Sequence, residues 1–315
     1  MSPGSLGPSI GAAPNSIAIG PTLCGVLRIS GTLPTKDCTS QHADPKPAVN
    51  HSDILARVSA DDLLDLLDIA IRAAQRGAAE IAYRTGRATG IGYKSTTTDP
   101  VSDADRASES AIRELIIAER PHDGLLGEEG GDRPSDSGLR WVIDPLDGTV
   151  NYLYQIPHSA VSIACEKVDG ADWLTIVGVV HDTSRGETFT AVRGGRAHLN
   201  GAEISVNETV DLSYALIATE FSYTSRSRAR QAAVLADVLP RVRDIRSTGS
   251  SALDLCWTAT GRCDGFYEDE LSRWDWSAGA LIVEEAGGTV SALGTGVVAA
   301  GSALHLDLCT LLGRG

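Results

Sequence analysis

A chain of 315 residues with 42% hydrophobic side chains is long enough to bury a substantial core without disulfide staples. Its formal net charge of −14 argues against nucleic acid as the main partner, because a phosphate polymer is repelled unless a dedicated basic patch receives it. No run approaches the roughly 20 apolar residues of a membrane span, and the start lacks a basic segment leading into an apolar one; the expectation is a cytoplasmic protein with no membrane partner.

Residues 1–58 are rich in Gly, Pro, Ser and Thr, with one short apolar patch from Cys24 to Ile29. Such a segment cannot bury enough apolar surface to offset its ordering entropy, so it is expected to be a disordered extension, with 59–315 as one folded domain. The six cysteines form no CxxC pair and have no histidine at zinc spacing, which reads as free thiols. A first helix is predicted from Ser59, whose N-cap chemistry precedes Leu63, Leu66, Leu67, Ala70, Ile71 and Ala74 at helical spacing. A second is predicted over Asp103–Glu119, separated from the first by the polar loop Lys94 to Ser102. Short apolar runs at Trp141–Ile143, Ala160–Cys165, Ile176–Val180 and Thr188–Ala191 read as strands. The later half repeats the theme: Ala215–Thr219, helices over Arg228–Leu239 and Ala252–Thr260, then Ala278–Glu285 and Val297–Ala300. Strands and helices mixed in this order predict a layered α/β architecture.

The most informative local feature is Trp141-Val142-Ile143-Asp144-Pro145-Leu146-Asp147-Gly148-Thr149-Val150-Asn151-Tyr152. An apolar strand runs into two carboxylates three residues apart, with Pro145 setting a bend and Gly148 allowing close backbone approach. All-oxygen donors of this kind suit a hard cation such as Mg²⁺. A helix starting just after Gly148 would turn the Gly148 and Thr149 amides toward a phosphate. Alone, the segment is equally an Asp-Gly turn with a capping aspartate. Two further acidic segments, Gly127-Glu128-Glu129-Gly130-Gly131 and Trp274-Asp275-Trp276-Ser277-Ala278-Gly279, have bland readings of their own, as a solvated loop and an N-cap. Capping does not account well for all three together.

These segments, with Arg246-Ser247-Thr248-Gly249-Ser250-Ser251-Ala252-Leu253-Asp254-Leu255, resemble the inositol monophosphatase family over about residues 61–301 in collinear order. The resemblance implies an alternating αβαβα sandwich of the sugar-phosphatase type, with 59–315 as the catalytic domain. It implies that Glu128, Asp144 and the Leu146 carbonyl hold one Mg²⁺ while Asp144, Asp147 and Asp275 hold a second. Thr149, partnered by Asp105, would help activate water, with Glu128 also counted among the catalytic residues, and Lys94 would balance charge. Substrate contacts would come from Asp147, Gly148, Thr149, Gly249, Ser251, Glu268 and Asp275. Lithium sensitivity and a homodimer are implied in the same way. The implied reaction is hydrolysis of inositol 1-phosphate, or of another small sugar or polyol phosphate; histidinol phosphate, fructose 1,6-bisphosphate and adenosine bisphosphate remain alternatives on the same scaffold. A binding or regulatory protein that keeps the fold and has lost turnover is the reading from a different class.

Overall fold

Helix α1 (Ala60–Arg84) opens on a reciprocal cap: Ser59 Oγ accepts from the Asp62 amide at 3.0 Å and Asp62 accepts from the Ser59 amide at 3.2 Å. The computed structural model describes residues 59–86, 92–94 and 100–313, all within one compact unit, Asn50–Gly315. The expected disordered extension at 1–58, and loop residues 95–99, lie outside the described residues. After the short antiparallel ribbon β1 (Gly92–Tyr93) and β2 (Pro100–Val101) comes α2 (Asp103–Glu119), bounded as its periodicity predicts.

The first sheet contains β3 (Gly124–Gly127), β4 (Gly131–Arg133), β5 (Leu139–Asp147), β6 (Ala160–Asp169), β7 (Asp172–Asp182), β8 (Thr188–Val192), β9 (Ala197–Leu199) and β10 (Ala202–Glu203), with the short helix α3 (Thr149–Leu153) after β5. Its order is β10-β9-β8-β7-β6-β5-β3-β4, antiparallel throughout except for the parallel pair β3–β5. The second sheet runs β12 (Asp244–Arg246), β11 (Leu216–Ala218), β13 (Gly265–Glu268), β15 (Gly296–Ala300), β14 (Thr289–Leu293), with β11 parallel to both β12 and β13. Helices α4 (Ser225–Val238), α5 (Ser251–Ala259), α6 (Arg273–Glu285) and α7 (Ser302–Leu311) complete the set.

Strand periodicity of two sorts the side chains into three cores, and the cores define the layers. Trp141, Ile143, Val161 and Ile163 face α1 and α2. Val142, Ala160 and Ala164 face the other way, onto α5 and α6. On the second sheet Phe266, Val297 and Ala299 meet α5 and α6 from below, while Tyr267, Val298 and Ala300 face Val234 and Val238 of α4 and Leu304 and Leu308 of α7. The result is the helix-sheet-helix-sheet-helix sandwich. Two-sided burial explains why the strands read in the sequence as continuous apolar runs rather than alternating ones.

Three details differ from expectation. The predicted helices over Arg228–Leu239 and Ala252–Thr260 are Ser225–Val238 and Ser251–Ala259, because Thr224 and Ser250 supply the caps. Helix α7 was not anticipated, since Gly301 provides no side-chain cap and its buried stripe is short. Strand β5 does not stop at the first aspartate but continues to Asp147. Between Asp144, paired with Ser162, and Asp147, paired with Ala160, it carries one extra residue. That bulge bends the chain and re-aims the two carboxylates. The four cysteines among the described residues, Cys165, Cys256, Cys263 and Cys309, are free thiols.

Candidate active site

A cavity of about 520 Å³ opens where the carboxyl ends of β3, β5 and β13 meet the N-termini of α5 and α6. Its lining includes eleven of the twelve residues singled out from the sequence: Lys94, Glu128, Asp144, Leu146, Asp147, Gly148, Thr149, Gly249, Ser251, Glu268 and Asp275. The twelfth, Asp105, lies fully buried behind Thr149.

Four carboxylates come from separate places in the chain. Asp144 accepts from the Leu146 amide at 3.0 Å, a local turn that leaves the Leu146 carbonyl beside it. Asp147 Oδ2 accepts from Ser250 Oγ at 2.6 Å and from the Ala252 amide at 2.8 Å, which ties β5 to the start of α5. Asp275 accepts from the Ser272 amide at 2.7 Å; the N-cap of α6 is Ser272, and Asp275 stands at the third helical position, not at the cap. Glu128 meets Lys94 Nζ at 2.8 Å, and the same ammonium meets Glu129 at 2.6 Å.

Burial raises Asp144 well above the usual carboxylate range, and repulsion from Glu128, Asp147 and Asp275 adds to it. Asp275 is raised for the same reasons, burial first and then Glu128 and Asp147. Burial lifts Glu128 to about 7 against the pull of Lys94, and lifts Asp147 to about 6 against its two donors. Burial opposes the Lys94 charge, but Glu128 and Glu129 outweigh it and hold the ammonium above its usual range. Among the described residues no three acids are drawn into a closed metal-ligating group; each keeps the donor just named. The donor set is nonetheless all oxygen, and the raised carboxylates repel one another. A hard divalent cation relieves that repulsion, so the residues present fit Mg²⁺.

Beside them stands a hydroxyl-carboxylate pair. Thr149 Oγ1 lies 2.9 Å from Asp105 Oδ1 and 3.1 Å from the Leu146 carbonyl, with one proton to give between two acceptors. The other Asp105 oxygen accepts from the Ser102 amide at 2.8 Å and its hydroxyl at 2.6 Å, which locks the carboxylate. As expected from the sequence, α3 begins directly after Gly148, whose left-handed φ of 90° suits glycine. Glu268 is 4% exposed, and its side chain accepts a long hydrogen bond from Ser251 Oγ at 3.3 Å. Burial, then Glu220 and Asp275, push it well up.

Four supporting residues were not recognised from the sequence. Glu109 on α2 accepts from the Glu129 and Gly130 amides at 2.7 and 2.8 Å, shaping the loop that presents Glu128. A Cβ at Gly127 or Gly130 would come within 2.1 or 2.5 Å of its carboxylate. Its signal was a charged residue three positions before the inward Ile112. Glu220 lines the cavity and binds the turn before α5; like Glu128 and Glu268 it is an acid at or just past the end of an apolar strand. Ser250 caps α5 and holds Asp147, and Asn151 bridges the carbonyls of His158 and Thr248 at 2.9 and 2.7 Å.

Residues 62–307 match the profile of the inositol monophosphatase family. The chain is 45% identical over 207 residues to an inositol-1-monophosphatase of Mycobacterium leprae, covering 62% of this chain and 69% of that one. It is 40% identical over 230 residues to the Nus factor SuhB of Escherichia coli, covering 72% of this chain and 84% of the other. Among solved structures, the extragenic suppressor protein SuhB of Bartonella henselae superposes with a TM-score of 0.73 at 33% identity, over 80% of this chain and 99% of that one.

Proposed function

The chain belongs to the inositol monophosphatase family, and from that premise we propose that it is a Mg²⁺-dependent phosphate-monoester hydrolase converting inositol 1-phosphate to myo-inositol and phosphate. The observation that supports this reading is the convergence of four carboxylates, a carbonyl and the Thr149–Asp105 pair on one cavity. Glu128, Asp144 and the Leu146 carbonyl would hold one Mg²⁺, and Asp144, Asp147 and Asp275 a second. When bound, the cations would supply neutralising charge for the phosphate and for the leaving oxygen.

The chain's own groups would do the rest. Thr149 Oγ1, its proton directed to Asp105, presents a lone pair that can receive a proton from the attacking water. The oxygen of that water attacks phosphorus as Thr149 passes its own proton to Asp105, the phosphorus–oxygen bond to the inositol breaks, and the leaving oxygen takes a proton from solvent water. Gly148 and Thr149 would donate their amides to the phosphate. Gly249, Ser251, Glu268 and the outer oxygens of Asp147 and Asp275 would face the substrate hydroxyls. Lys94 would hold Glu128 in place through its ion pair.

Glu268, Glu220 and Glu270 around the outer cavity disfavour a second phosphate and favour neutral hydroxyls, which ranks a polyol monophosphate above a bisphosphate. The cationic amine of histidinol phosphate is the nearest competitor. No described helix is long and apolar enough to cross a membrane. A cytoplasmic homodimer is part of the proposal, and sedimentation of the purified protein tests its assembly. A Nus-factor role, after the name of the Escherichia coli relative, is the second reading. That protein aligns over 72% of this chain.

The test is phosphate release from inositol 1-phosphate, histidinol phosphate, fructose 1,6-bisphosphate and adenosine bisphosphate, each with Mg²⁺ and with a chelator. Release that requires Mg²⁺, is fastest on inositol phosphate and is inhibited by Li⁺ supports the proposal. Metal-independent release, or none, sinks it.

A further inference from the structure

We infer that Glu220, acting together with Asp254, is a positioning residue for Asp147, and that it works through the turn Ser247–Gly249. The inference rests on the reading of Asp147 as a Mg²⁺ ligand.

The geometry is a chain of hydrogen bonds that leads to Asp147 from the segment after β11. Glu220 follows β11. Its Oε2 accepts from Ser247 Oγ at 2.8 Å and its Oε1 from the Gly249 amide at 2.5 Å. Asp254, one turn into α5 and fully buried, accepts from Thr248 Oγ1 at 2.7 Å. Asn151 donates to the Thr248 carbonyl from the opposite side. Three consecutive residues are therefore clamped by side chains from the segment after β11, from α3 and from α5.

The turn has little freedom to relax. Gly249 has φ of 89°, and a Cβ there would lie 2.5 Å from Asn151 Nδ2. Its carbonyl presses against Gly148, where a Cβ would come within 3.0 Å. The next residues carry the effect to the ligand: Ser250 Oγ and the Ala252 amide donate to Asp147 Oδ2. Ser250 also accepts from the Leu253 amide, so its hydroxyl proton is committed to Asp147.

The two acids divide the work. Asp254 Oδ2 is buried without a hydrogen-bond donor, beside a Glu220 whose oxygens face hydroxyl and amide donors. Burial, and then the neighbouring Glu220 charge, raise Asp254 well above the usual carboxylate range. Burial raises Glu220 too, but the Gly249 amide, the Ser247 hydroxyl and Asp254 pull it back down, so Glu220 is the less perturbed of the two buried acids. A carboxylate at Glu220 can serve both donors of the turn, whereas an amide offers one oxygen.

The experiment measures Mg²⁺ binding by titration calorimetry together with thermal melting, on wild type and on Glu220→Gln, Ser247→Ala, Asp254→Ala and Asp254→Asn. Glu220→Gln is expected to raise the Mg²⁺ Kd about tenfold or more, the size seen when an outer partner of a metal ligand is lost. Ser247→Ala moves the same way by less. Asp254→Ala weakens binding, and Asp254→Asn restores most of it because the amide keeps an oxygen to accept from Thr248 Oγ1. A merely structural role would lower the melting temperature and leave the Kd of the folded protein unchanged. Wild-type Mg²⁺ affinity in both Glu220→Gln and Ser247→Ala overturns the inference, and Ser247→Ala decides alone if Glu220→Gln does not fold. Wild-type protein that takes up no Mg²⁺ overturns the metal reading itself and this inference with it.

Discussion

Asp275 and Glu268 line one cavity, and their substitutions separate metal binding from substrate reading. Asp275→Asn keeps an oxygen to accept from the Ser272 amide, so α6 keeps its start while the site loses a negative charge. Its turnover should fall at least about a hundredfold, the upper end of what losing only an outer partner costs. Near-normal rates at saturating Mg²⁺ would remove Asp275 from the ligand set. Glu268→Gln should leave metal binding alone. Its kcat/KM should drop at least about tenfold more for inositol phosphate than for an aryl phosphate without hydroxyls. A constant ratio between the two substrates would reduce Glu268 to the polar end of β13, and a gain of bisphosphate activity would assign it to repulsion.

Asp275 reaches the cavity because α6 lies unusually close to its neighbours, and two glycines permit this. A Cβ at Gly178 on β7 would sit 2.8 Å from the Ala278 carbonyl, and one at Gly279 would sit 2.7 Å from Leu255 Cβ. The first contact is with backbone, which cannot rotate away. Gly178→Ala should therefore destabilise the fold by about 1–3 kcal/mol, as overpacking does, and lower activity by displacing the start of α6. Urea unfolding with phosphate-release assays checks both, and an unchanged midpoint would show that α6 has room to move.

For the molecule as a whole, the acidic cavity makes stability depend on pH in an unusual direction. Burial raises Glu128 from 4.5 to about 7 and Asp147 from 3.8 to about 6. The folded state therefore holds these protons more tightly than the unfolded chain does. Their contribution to stability is complete below the ordinary carboxylate values and is lost as pH rises through about 6 to 7. Mg²⁺ binds the deprotonated acids, so the gap between Mg²⁺-loaded and chelated melting temperatures should widen over that range. A gap independent of pH would contradict the assignment. Removal of residues 1–58 is expected to leave melting temperature and activity unchanged, because α1 is capped from within by Ser59 and Asp62. A loss of several degrees would show that the segment docks.

What the sequence determined by itself was local. Caps and helical spacing placed α1 and bounded α2 over Asp103–Glu119. The D-P-L-D-G-T box, the G-E-E segment and the W-D box marked the acids, because strands, turns and caps are written in neighbouring residues. Tertiary structure decided what depends on contacts between distant segments. Glu109 reads as one more helical glutamate until the Glu129 and Gly130 amides fold against it. Glu220 reads as a strand end until Ser247 and Gly249 close onto it. The β5 bulge exists only relative to β6, and the position of Asp275 as the third helical residue follows from Ser272 taking the cap. The raised carboxylates, likewise, follow from burying together Glu128, Asp144 and Asp147 with Asp275, which lies more than a hundred residues further along the chain. Mutual burial and repulsion are properties of the assembled fold that no single segment can carry.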